Sequence, residues 1–183
     1  MNSYLSSAIK QFQYYKSLGE KAIDQLDEDM LFWQSNSENN SIGILVNHLN
    51  GNMLSRWTDF LESDGEKEWR TRDAEFENSI RSKKELLEKW EEGWTCLFSA
   101  IEPLEKQDLE KEVFIRNMGH SVVEAINRQL CHYSYHIGQI VQIAKIVQGE
   151  NWKSLSIPKG ESKAYNEGKF AKEKRKTHFT DDL

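Results

Sequence analysis

The stretch that decides the fold is "SVVEAINRQLCHYSYHIGQIVQIAKIVQ", Ser121 to Gln148. Apolar side chains recur in steps of three and four at Ile126, Leu130, Tyr133, Ile137, Ile140 or Val141, Ala144 and Val147, which is one face of a helix about 28 residues long. Gly149 follows as a stop signal. A helix with a single apolar stripe has to bury it against other elements, so the rest of the chain is read for partners with the same period.

Three further segments supply them. Tyr4 to Leu26 carries Leu5, Ile9, Phe12, Leu18, Ala22, Ile23 and Leu26. A second helix has Ser41 as N-cap and runs through Ile42, Leu45, Leu49, Met53, Trp57 and Phe60 or Leu61 to a turn at Asp64-Gly65. A third, Ile80 to Ile101, places Leu86, Leu87, Trp90, Trp94, Leu97, Phe98 and Ile101 on one side, opposite a solvated face of Lys and Glu, and Pro103 ends it. The expected fold is all-α, a four-helix bundle. Residues 64–79 read as a connecting loop, and Leu109 to Gly119 as a short extended piece or hairpin arm around Val113 and Ile115. Residues 1–150 form the expected bundle, and 151–183 a C-terminal arm and charged tail, with Trp152 to Tyr165 laid over the bundle and the last dozen residues mobile.

Composition narrows the function classes. At 183 residues the chain suits one domain, and two prolines and ten glycines favour long helices over many short strands. A net charge of −6 argues against nucleic-acid binding, which needs a cationic face. The basic cluster Lys172, Lys174, Arg175, Lys176 is followed by Asp181 and Asp182 and reads as solvated tail. No apolar run approaches the roughly 20 residues that span a bilayer, and the polar start lacks a signal-peptide core, so no membrane association and a cytoplasmic location are expected. Cys96 and Cys131 read as buried, reduced thiols within helices.

Chemistry concentrates on histidine. His132 and His136 lie four apart on the long helix, one turn from each other and about 6 Å apart, so both rings can reach one ion. Their helix flank also carries Ala125, Gln129, Ile140 and Ile143 and faces inward. Two core imidazoles are the competing reading, costly because each neutral ring needs both a donor and an acceptor satisfied. His48, beside the apolar stripe of the second helix, adds an imidazole from a facing element, and three imidazoles leave room for water as in a catalytic zinc-type site. On spacing alone both readings stay open.

The stretches "VNHLNGNM", "EWRTRDAEFE", "AINRQLCHYSYHIGQIV" and "NWKSLSIPKGES" resemble the DinB-like superfamily of bacterial four-helix-bundle metalloproteins, and one of its uncharacterised subgroups, from about residue 1 to 165. The resemblance implies a divalent metal ion on His48, His132 and His136 with a position open to water, an up-down-down-up bundle, and a homodimer. Relatives in that superfamily include bacillithiol S-transferases and a mycothiol-dependent maleylpyruvate isomerase, which implies a low-molecular-weight thiol such as bacillithiol as a further cofactor. No motif here marks a thiol pocket, so catalytic and cofactor-binding residues stay unassigned. Three imidazoles suit Zn, Ni, Cu or Fe, and the ligand set alone does not select the ion.

Two function classes follow: a metal-dependent thiol S-transferase or hydrolase acting on a small electrophilic molecule, and a non-catalytic, stress-associated metalloprotein whose ion is structural. A closing carboxylate from Glu75 or Glu77 favours the second, and an open position beneath a pocket the first. Asn52, Arg128, Gln129 and Gln139 sit within a turn of the histidines as polar neighbours. Arg70 and Arg72 are read as pinning the loop or lining a pocket mouth, His120 as a capping or turn residue, and His178 as solvated.

Overall fold

A computed structural model describes residues 3–182. The elements are α1 (Ser3–Ile23), α2 (Glu28–Leu31), α3 (Ile42–Trp57), a 3₁₀ turn at Asp73–Phe76, α4 (Lys83–Ile101), a hairpin of β1 (Glu112–Ile115) and β2 (Met118–Ser121), α5 (Val122–Gln148) and α6 (Ser162–Phe170). The chain is mostly helical. Three serines fix where the inner helices begin: the hydroxyls of Ser41, Ser82 and Ser121 accept from the backbone N–H of Ile44, Glu85 and Glu124. At Ser121 the Glu124 carboxylate returns the bond to the Ser121 N–H, closing a capping box that turns the hairpin into α5. Gly149, at φ 57°, stops α5 in the left-handed region.

Among the long helices, α1 packs on α4 and α5, and α3 packs on the same two, so the main contacts run in the circuit α1–α5–α3–α4. The centre is aromatic. Phe12 meets Trp57 and Tyr133, and Trp94 meets Trp90 and Tyr133, all nearly or fully buried. The Nε1 atoms of Trp90 and Trp94 have no hydrogen-bond partner among the described residues. The packing outweighs this: a buried indole removes about 200 Å² from water, worth ~5 kcal/mol, against about 1–3 kcal/mol for an unpaired N–H. Gly19 lets α1 lie on Trp90, whose Cζ2 would sit 2.7 Å from a Cβ there. One polar chain crosses the core: Trp57 Nε1 donates to the Tyr133 hydroxyl, which donates to Asn52 Oδ1, each at 3.0 Å.

Several expectations are corrected. Helix α3 ends at Trp57 and not at Asp64-Gly65, because Thr58 turns extended, Asp59 takes φ 47°, and the Ser55 hydroxyl and Arg56 guanidinium fold the following segment back by binding the Gly65 carbonyl. Cys131 is exposed and Cys96 half-buried, since position 131 lies opposite the buried face that holds Tyr133, His136 and Ile137. Beyond Trp152 the sequence shows no helical period, yet α6 forms with no buried residue, sustained by its own backbone bonds. In the described tail, His178 is half-buried and not simply solvated, with Nε2 3.1 Å from the Ser7 hydroxyl, while Lys10 pairs with Asp181 at 2.5 Å and Phe179 packs edge-on against Tyr14. No helix among the described residues is long and apolar enough to cross a membrane.

Candidate metal centre

The period of α5 puts His132 and His136 on successive turns of one face, and α3 lays His48 opposite them. The three rings meet edge to face, with interplanar angles of 72–77° between each pair. Their Nε2 atoms converge: that of His132 is 3.3 Å from His48 Nε2 and 3.0 Å from His136 Nε2. One nitrogen of each ring falls within 4.8 Å of the other two, and this trio could hold a metal ion. His48 and His136 are buried, and His132 is half-buried.

Behind each ring stands an acceptor. His48 Nδ1 is 2.8 Å from Glu75 Oε2, His132 Nδ1 is 3.3 Å from Gln129 Oε1, and His136 Nδ1 is 2.8 Å from Gln139 Oε1. These acceptors place the ring protons on Nδ1 and leave the Nε2 lone pairs facing one another. Three lone pairs directed at a common point repel unless a cation lies between them, so the donor set fits a divalent ion, with each ring oriented from behind as metal-bound imidazoles generally are.

Glu75 and its neighbours come from the turn at Asp73–Phe76. Asn47 fastens that turn to α3 by donating to the Glu75 carbonyl at 3.0 Å. Arg70 grips the Glu75 carboxylate with two bonds, Nε to Oε1 at 2.7 Å and a terminal nitrogen to Oε2 at 2.9 Å, and reaches Glu66 at 3.1 Å. Phe76 stacks on the His48 ring with centroids 4.7 Å apart, and the Arg72 guanidinium lies over the Phe76 ring, 5.0 Å from its centroid. Gly51 clears the way: a Cβ there would stand 2.8 Å from the Glu75 carboxyl carbon.

Burial and nearby positive charge disfavour protonation of the two rings on α5. Burial, then the positive potential of the other two histidines and of Arg56 and Arg70, pushes the His132 imidazolium down to about 3. Burial likewise lowers His136, against the opposing pull of Gln139. Burial works to raise the Glu75 carboxyl, but the bonds from His48 and Arg70 outweigh it and hold the group ionised below the usual carboxylate range.

The other residues singled out from the sequence divide. Gln129 and Gln139 stand behind rings, and Arg70 pins the loop through Glu75. Asn52 joins the tyrosine chain and not a histidine. Glu75, considered as a closing ligand, lies behind His48 on the side away from the other rings, and Glu77 is exposed. His120 takes no part in the capping box; it lies in β2, its Nδ1 donating to the Met118 carbonyl and its Nε2 accepting from Arg128. His178 belongs to the tail contact with Ser7. Phe76 was not legible as a site residue, lying in a stretch with no period.

Over the histidines opens a cavity of about 510 Å³, lined by the three rings, Phe76, Tyr135, Gln139 and a group of arginines. That volume lies in the range of small-molecule sites. No curated protein and no solved structure matches the chain. The model of the family described as "Protein of unknown function (DUF1572)" matches residues 1–161, so the chain belongs to that family, which is placed in the DinB-like clan.

Proposed function

We propose that the protein is a divalent-metal-dependent enzyme of DinB-like type, in which His48, His132 and His136 hold the ion and a thiol or water is delivered to a small electrophilic substrate. The observation that carries this reading is the convergence of three Nε2 atoms, with no carboxylate or thiol joining the trio among the described residues, on the floor of a cavity of about 510 Å³. An ion bound there supplies Lewis acidity that brings a coordinated thiol or water toward ionisation near pH 7.

The residues of the chain do the holding. Glu75, Gln129 and Gln139 keep the Nδ1 protons turned outward, Arg70 fixes Glu75, and Phe76 shields one face of His48 from water. Since Glu75 is engaged behind His48 and Glu77 is exposed, neither closes the sphere, which speaks against a purely structural ion. The circuit α1–α5–α3–α4, with consecutive helices α1 and α3 diagonal to each other, supports an up-down-down-up four-helix bundle. A homodimer and a thiol cofactor of the bacillithiol kind belong to the same proposal. Exposed Trp33, Tyr135 and Ile146 offer apolar surface for the former.

The test is metal analysis of the purified protein, and titration of metal-stripped protein with Zn²⁺, Ni²⁺ and Fe²⁺, for the wild type and for His48→Ala, His132→Ala and His136→Ala. One ion per chain in the wild type is expected, with binding lost or weakened by orders of magnitude in each variant. Thiol-conjugation assays on the loaded form then test the activity. Wild-type protein that neither carries nor takes up an ion sinks the reading.

A further inference from the structure

Five of the chain's seven arginines line the cavity over the histidines, namely Arg56, Arg70, Arg72, Arg116 and Arg128, and among the described residues no lysine, aspartate or glutamate does. In a protein of net charge −6 this concentration is not a by-product of composition. Two carboxylates, Glu66 and Glu75, serve three of these guanidinium groups. Glu66 is shared by Arg56 at 3.0 Å, Arg70 at 3.1 Å and Arg116 at 3.3 Å, and Glu75 is taken by Arg70. Among the described residues Arg128 bonds to the His120 ring and pairs with no carboxylate, and Arg72 has, besides Phe76, the fully exposed Asp73 at 3.9 Å. The buried Nε of Arg56 has no hydrogen-bond partner among the described residues.

We infer that this cavity is a site for a small oxyanion, with a carboxylate or phosphate group of the ligand bound by Arg72 and Arg128 above the converging histidine nitrogens. The inference deepens the proposed function by naming the charge class of the substrate, and rests on the reading of the cavity as a substrate site. Planar guanidinium forks, in preference to lysine ammonium groups, match the two oxygens of a carboxylate or phosphate. Exclusive use of arginine therefore suits oriented recognition better than diffuse attraction. Arg56 and Arg70 are committed to the protein's own carboxylates and set the potential, whereas Arg72 and Arg128 are exposed, with donors to spare.

The experiment uses the metal-stripped full chain, so that its outcome is independent of whether an ion binds. Phosphate, succinate and the uncharged analogue succinamide are titrated calorimetrically into wild type, Arg72→Gln, Arg128→Gln and the double variant, with far-UV circular dichroism confirming that each is folded. Phosphate and succinate should bind, their ratio telling which anion the forks prefer, and succinamide should not. Each single substitution should weaken anion binding by about ten-fold, and raised salt should weaken it further. Because no ion is present in this titration, a failure of the metal reading leaves its result standing. Equal binding of succinate and succinamide, no anion binding at all, or affinity indifferent to both arginine substitutions overturns the inference, even if metal titration succeeds.

Discussion

Glu75→Gln separates the two things the loop carboxylate does. The variant keeps the side-chain shape and an oxygen to accept from His48 Nδ1, but removes the negative charge. Arg70, whose side chain is 2% exposed, would retain only Glu66 at 3.1 Å. Breaking a buried ion pair from one side costs roughly 3–5 kcal/mol, and the surviving Glu66 contact puts the expectation near the low end, about 3 kcal/mol. In a chain of this length that corresponds to a fall in Tm of roughly 6–12 °C. Partners behind a metal-bound imidazole contribute about 10–100-fold in affinity, so Zn²⁺ binding should weaken by that factor.

Differential scanning calorimetry of the metal-free variant reads the first effect, and competition titration against a chromophoric chelator the second. Adding Arg70→Gln should recover part of the stability lost, since no unpaired guanidinium remains, but none of the metal affinity. A variant that melts lower yet binds Zn²⁺ as the wild type does would show that Glu75 merely pins the loop, and would refute its assigned role behind His48.

Three further outcomes are expected. Gly51→Ala would push a methyl group into the Glu75 carboxylate, with Cδ only 2.8 Å from the new Cβ; chelator competition should show a loss of Zn²⁺ affinity comparable to that of Glu75→Gln, although Gly51 touches no histidine. Tyr133→Phe strands Trp57 Nε1 and Asn52 Oδ1 in the core, and denaturant unfolding should report a loss of about 1–3 kcal/mol with metal affinity unchanged. Metal-free protein should lose stability in acid. His132 titrates near 6.5 when unfolded and about 3 when folded, so below pH 6.5 the unfolded chain binds the extra proton and stability falls until about pH 3. With His132 partly open to solvent, the loss between pH 7 and 5 should be about 1–2 kcal/mol by denaturant titration, and Glu75, also lowered, extends the loss below its unfolded value of 4.5. Stability that rises on acidification over that range would contradict the burial of a neutral ring.

What the sequence discloses of the site follows from periodicity. His132 and His136 declare their shared face because a helix repeats every 3.6 residues, and His48 declares its inward face through Leu45, Leu49 and Met53. Glu75 and Phe76 lie in a stretch with no period, and their approach to His48 is a tertiary event spanning 27 residues. One local signal did exist. Gly51 sits one turn beyond His48 in the middle of a helix, where glycine costs up to about 1 kcal/mol against alanine, and such a residue marks close approach by another part of the chain. The end of α3 was overrun because Phe60 and Leu61 continue the apolar steps, whereas the break is made by bonds from Ser55 and Arg56 to Gly65. Helix α6 escaped notice because it buries nothing, which is what a periodicity argument requires.

One short segment ties the histidine trio to the cavity above it. From Arg70 to Phe76 the chain supplies the guanidinium that fixes Glu75, the carboxylate that orients His48, the ring that stacks on His48 and, in Arg72, a cation exposed to the cavity. The His48 ring is therefore held at Nδ1 and on one face by residues of the same turn, while α3 fixes only its backbone. Displacing the turn would alter both the aim of His48 Nε2 and the position of Arg72, so the segment from Arg70 to Phe76 is where a loss of the proposed metal site and a loss of the proposed anion site would coincide.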